Sequence, residues 1–148
     1  MRLFLLALTA AVVLTGCATS PRNLYAQYKT DFGMYVQHSE VSTFCFAPQL
    51  RFAISALESK LGRKAVVSSG YRSPWHNSDV GGADGSYHTK CMAADIFFPG
   101  ISKSQVIAAA YRERLVGGLG CYPGRNFIHI DVRSRPRGWN KPVTFSGC

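Results

Sequence analysis

The stretch that most narrows the choice of fold is MAADIFF, Met92–Phe98, an apolar strand-like run with a carboxylate at its centre. Pro99-Gly100 closes it, as turn residues close a strand. An unpaired carboxylate is costly to bury, so any fold of this chain must bring Asp95 a cation, several hydrogen-bond donors or a metal. Side chains alternate along a strand, which places Ala93 and Asp95 on one face and Ala94 and Ile96 on the other. The small Ala93 keeps the Asp95 face roomy, and that face is the candidate site. His88 stands seven residues upstream, in the segment SYHTKC that leads into the strand.

A second stretch, FIHIDV, repeats the pattern with the polar residues more regular. On a strand, Phe127, His129 and Asp131 share one face, and Ile128, Ile130 and Val132 the other. One side reads as core and the other as a polar cleft, although a half-exposed strand without function alternates in the same way. The chain has 4 histidines. His38 and His76 fall in a tether-like region and a loop, whereas His88 and His129 lie beside strand carboxylates. Two imidazole nitrogens and a carboxylate oxygen make a sound zinc set, leaving a fourth position for a water whose pKa falls to about 7.

Around these strands, the spacing of Leu50, Ile54, Leu57 and Leu61 predicts a helix over Pro48–Leu61, started by proline and stopped by Gly62. Lys64–Ser69 reads as a short β-branched strand, and 70–85 as a long glycine-rich loop. Ser102 and Gln105 form a capping box for a helix to about Leu115. GGLGCY and NFIHIDV read as a hairpin around Pro123-Gly124. One domain of α+β class follows, with a small, mostly antiparallel sheet and helices packed on one side.

The N-terminus, MRLFLLALTAAVVLTGC, has one arginine, an apolar run from Leu3 to Leu14 and small residues before Cys17. This is an export signal, too short to span a bilayer. LTGC resembles the bacterial lipobox, which makes Cys17 the lipidation site; a plain secretory signal with a chance cysteine is the alternative. The expected organisation is a lipoprotein signal peptide over 1–16, lipidated Cys17 and a tether over 17–40, and a domain over 41–148. Ala18, rather than an aspartate, favours the outer membrane, and the compartment is the periplasm. Export leaves Cys45, Cys91, Cys121 and Cys148 in an oxidising space, where two disulfides are expected with three connectivities open. A four-cysteine zinc site would need a CxxC spacing that is missing. The net charge of +9 suits an anionic partner such as cell-wall polymer or lipid headgroups. No nucleic-acid motif accompanies the basic run VRSRPRGWNK, which reads equally as a solvated tail, so no nucleic-acid partner is expected.

The segment SYHTKCMAAD resembles the S-x-H-x-x-G-x-A-x-D motif of the zinc D-Ala-D-Ala peptidases, whose fold is shared with the hedgehog signalling domain. The resemblance runs upstream through SSGYRSPWHN and downstream through GGLGCYP and FIHIDVRSRPRGW, roughly residues 45–139. Its nearest branch is the small periplasmic peptidoglycan peptidases. It implies His88, Asp95 and His129 as zinc ligands, and Arg72 as the arginine that grips a substrate carboxylate or carbonyl. A loop arginine paired with Asp79 or Asp84 is the plainer alternative for Arg72. Ser86 and Tyr87 become candidates for hydrogen bonds to substrate, with packing an equal alternative for Tyr87. Related branches carry an acid–base carboxylate three residues before the last ligand; here that position is Asn126. Asp131 is left as general base or as an orienting partner of a ligand.

Cys91 stands at the family glycine. A disulfide there would hold a strained backbone; a free thiol would add an unwanted ligand. The activity implied is a zinc peptidase, monomeric, acting on D,D or L,D bonds of peptidoglycan stem peptides or crosslinks, as an endopeptidase or carboxypeptidase. A zinc-containing, cell-wall-binding lipoprotein without turnover is the alternative, since hedgehog domains keep the fold as ligands.

Overall fold

A computed structural model describes residues 24–148. The expected signal peptide over 1–16 and the lipidation site Cys17 lie outside the described residues. Among the described residues, no helix is long and apolar enough to cross a membrane.

Among the described residues, seven strands form one sheet: β1 Lys29–Asp31, β2 Met34–Val36, β3 Val66–Ser69, β4 Ala93–Phe97, β5 Gly118–Gly120, β6 Ile128–Asp131 and β7 Val143–Phe145. Their spatial order is β1-β2-β3-β4-β6-β5-β7. β2 with β3 and β5 with β7 pair in parallel; the other neighbours are antiparallel. The expected hairpin is there, with Leu119 opposite Ile130 and Gly120 opposite His129.

Helix α1, Pro48–Leu61, begins with proline in its first turn, where a missing N–H costs nothing, and ends at Gly62 in the left-handed region (φ 63°). A short helix α2 spans Pro74–Asp79. Helix α3, Lys103–Arg112, opens with the predicted Ser102–Gln105 capping box. It stops at Glu113, whose backbone is extended, short of the expected Leu115. α1 buries Leu50, Ala53, Ile54 and Leu57, and α3 buries Val106 and Ala110. These meet Val67, Ala94, Ile96, Leu119, Ile128 and Ile130 in one core. The two longer helices therefore cover one face of the sheet, and strand alternation sends Asp95, His129 and Asp131 to the other.

Three expectations need correction. Residues 17–40 were expected to be a tether, yet 29–36 form the β1–β2 hairpin, with Val36 opposite Val67 and 1% exposed. Tyr25 stacks on Tyr35 at 4.7 Å, so packing starts earlier still. Strands of three residues are too short to show a period. The 70–85 loop is partly helical: Ser73 caps α2, and Asn77 is buried and donates from Nδ2 to the Ala83 carbonyl. The C-terminal segment is no free tail, because β7 pairs with β5 and a disulfide joins Cys121 to Cys148. The other disulfide joins Cys45 to Cys91.

Candidate metal centre

β4 and β6 lie side by side with Asp95 directly opposite His129 and Ala93 opposite Asp131. His88 arrives from a 3-10 turn, Tyr87–Lys90, immediately before β4. The Ser86 hydroxyl caps that turn by accepting from the His88 backbone N–H at 3.4 Å. The turn ends at Cys91 in the left-handed region, φ 59°. The position does require positive φ, which explains a glycine there in the resembling family. In this chain the bond to Cys45, together with the Ala47 N–H donating to the Cys91 carbonyl at 2.9 Å, holds the cysteine in place. Its sulfur is thereby removed from the list of ligands.

The three candidate ligands converge. His88 Nε2 lies 3.1 Å from His129 Nδ1 and 3.3 Å from Asp95 Oδ1, and His129 Nδ1 lies 3.1 Å from Asp95 Oδ1. Bonds of about 2.0–2.1 Å in a tetrahedral zinc site put ligand atoms roughly 3.3 Å apart. The cluster thus has the spacing of three corners of such a site, and it is a group able to hold a metal ion.

Each candidate ligand is oriented from behind. His88 Nδ1 donates to the Gly70 carbonyl at 2.7 Å, leaving the Nε2 lone pair for the cluster. His129 Nε2 faces Asp131 Oδ2 at 3.1 Å, leaving Nδ1 for the cluster. The outer oxygen of Asp95 accepts from Arg72 Nη2 at 3.0 Å, and Arg72 Nε donates to Ser69 Oγ at 2.9 Å. Arg72 therefore pairs with Asp95 rather than with Asp79 or Asp84.

Asp131 is fully buried, and Arg133 grips it. Arg133 Nε reaches Oδ1 at 2.8 Å and Oδ2 at 3.0 Å, Nη2 adds a bond to Oδ2, and the Arg133 backbone N–H reaches Oδ1 at 3.0 Å. Burial alone would raise the Asp131 carboxyl, but bonds from His129 and Arg133 outweigh it and hold the group at about 2. Burial likewise works against ionised Asp95, and His129 and His88 overcome it, keeping Asp95 well below the usual carboxylate range. For His129, burial favours the neutral ring, and bonds to Asp131 and Asp95 outweigh it and raise its pKa.

The Arg133 guanidinium lies over the Tyr87 ring at 4.5 Å and near the Phe145 ring at 5.5 Å, and Phe145 also flanks His129 at 5.3 Å. Neither Arg133 nor Phe145 stood out in the sequence. Arg133 carried no signal that set it apart from the basic run, lying two residues beyond the end of β6 at Asp131. Phe145 carried none, because only the pairing of β7 brings it here.

A cleft of about 990 Å³ opens over the cluster. Arg72, Ser86, Tyr87, His88, Asp95 and His129 all line it, as does Asn126 at the position of the missing acid. Asp131 lies behind His129, outside the lining.

The family model described as Peptidase M15 matches residues 27–131, from the start of the sheet through β6. Three curated relatives bear the name peptidoglycan L,D-endopeptidase MepK and come from Escherichia coli K12, Escherichia coli O157:H7 and Shigella flexneri. Each is 41% identical over 92 residues, which is 57% of this chain and 50% of the relative. The chain spans about half the length of the curated relatives it matches. With the family match covering most of its length and ending on the strand of His129 and Asp131, the chain belongs to the peptidase M15 family.

Proposed function

We propose that this chain is a zinc-dependent peptidase that hydrolyses peptide bonds in peptidoglycan stem peptides or crosslinks, at the L,D bond for which its relatives are named. The observation that carries the reading is the His88–Asp95–His129 cluster, three lone-pair atoms at 3.1–3.3 Å on the floor of an open cleft. A zinc ion held there would supply Lewis-acid polarisation of the scissile carbonyl and an activated water near neutral pH.

The protein's own residues then divide the remaining work. Arg72 fixes Asp95 through Nη2, and its Nη1, without a protein partner among the described residues, is available for a substrate carboxylate or carbonyl. Ser86 spends its hydroxyl on capping the turn that presents His88, and Tyr87 shelters Arg133, so both act mainly on the site's shape. Asp131 is assigned to orienting His129 rather than to accepting the proton, because it is fully buried, saturated with donors and off the cleft. Asp84 is the other carboxylate lining the cleft besides Asp95.

The leader sequence supports lipidation at Cys17 and a periplasmic setting on the outer membrane, and we take the domain as a monomer facing the wall. The net charge of +9 favours an anionic polymer as partner and needs no nucleic acid. The competing reading, a zinc-holding wall-binding module, draws its support from Asn126 in place of the acid. Purified sacculi incubated with wild type and His88→Ala, with fragments identified by mass spectrometry, separate the two. L,D-cleaved fragments that require zinc and His88 are expected; intact sacculi in both samples would defeat the peptidase reading.

A further inference from the structure

The geometry points to Arg133 as a positioning residue for the metal centre, acting through Asp131 on His129. The inference rests on the zinc reading above and goes one shell further out. Asp131 sits at 0% exposure, so no solvent completes its coordination. A carboxylate offers about four acceptor directions. Three donors of Arg133 take most of them: the backbone N–H on Oδ1, Nη2 on Oδ2, and Nε shared between the two oxygens. What remains on Oδ2 faces His129 Nε2 at 3.1 Å. The guanidinium fork thus sets the plane of the carboxylate, and the carboxylate sets the rotation and tautomer of the imidazole.

The clamp is itself clamped by neighbours of both histidines. Tyr87, the residue before His88, lies under the guanidinium at 4.5 Å, and Phe145 touches both Arg133 and the His129 ring. On the facing strand, Gly118 leaves the space, since a Cβ there would overlap Asp131 Oδ2 and approach Arg133 Nε at 2.7 Å. A lysine cannot reproduce this role, because its ammonium is a single point of charge with neither fork nor stacking plane.

The test measures zinc affinity by competition with a chromophoric chelator, alongside the d–d absorption of the cobalt(II)-substituted protein. It uses wild type, Arg133→Ala, Arg133→Lys, Asp131→Ala and the double variant Asp131→Ala/Arg133→Ala. Arg133→Ala should bind zinc about 10- to 100-fold more weakly, the range expected on losing an outer-shell partner, with a changed cobalt spectrum. Arg133→Lys should stay closer to Arg133→Ala than to wild type. The double variant should bind zinc no more weakly than Asp131→Ala alone, because Arg133 acts through Asp131.

Zinc affinity and cobalt spectrum unchanged in both Arg133 variants would overturn the assignment, whatever their melting temperatures. So would losses that add in the double variant, or a wild type that binds no metal. A wild type that shows this coupling yet cuts no peptidoglycan would sink the peptidase reading and leave Arg133 in its role. Zinc-dependent cleavage with additive losses would do the reverse.

Discussion

Replacing Asp131 by asparagine removes one negative charge from a fully buried position while keeping the side chain's shape. The native carboxyl titrates at about 2, against 3.8 for a free aspartate, because His129 and Arg133 favour its ionised form over the cost of burial. A depressed folded-state pKa contributes stability above the unfolded value and loses it as the pH falls through the folded one. The difference of nearly two units corresponds to about 2 kcal/mol, present from neutral pH down to about 4 and gone near 2. Asp131→Asn forfeits that contribution, so its melting temperature should fall by roughly 6 °C at neutral pH. Urea unfolding of metal-free wild type and variant across that pH range checks the claim. The gap between the two should be about 2 kcal/mol near pH 7 and close towards zero below pH 3. A gap independent of pH, or none at pH 7, would refute the argument that the Asp131 charge is held by Arg133 and His129.

Three further outcomes follow from the same geometry. Gly118→Ala forces a Cβ into the Asp131 carboxylate, and should cost about 1–3 kcal/mol by overpacking and weaken zinc binding, read by urea unfolding and chelator competition. Opening the Cys45–Cys91 bond, which spans 46 residues, should cost up to about 4 kcal/mol in thermal or urea unfolding. In the Cys45→Ser background, Cys91→Gly should be more stable than Cys91→Ala by roughly 1 kcal/mol, because φ is 59° there.

The sequence was most legible where burial imposes a period. β6 alternates apolar with polar residues, and β4 sets one carboxylate in an apolar run, so the face of His129 and the face of Asp95 were readable before any contact was known. α1 and α3 showed their apolar stripes, proline start and capping box for the same reason. β1, β2 and β7 were not legible, since each has three residues and gains its place from partners far along the chain. Alternation put Asp131 on the face of His129 but could not say which ring nitrogen it meets. That choice separates a proton acceptor in the cleft from a support behind the ligand. Arg133 was hidden in a basic run, where charge alone reads as solvated surface, and only its four contacts with Asp131 distinguish it.

X-ray absorption at the zinc edge, with metal content measured on the same samples, tests the central claim most directly. One zinc per chain is expected, with nitrogen and oxygen ligands at about 2.0–2.1 Å and an imidazole signature. That zinc should be lost in His88→Ala, Asp95→Ala and His129→Ala. A protein that purifies and reconstitutes without stoichiometric zinc, that shows sulfur ligands at about 2.3 Å, or that keeps its zinc when those three residues are replaced would contradict the account.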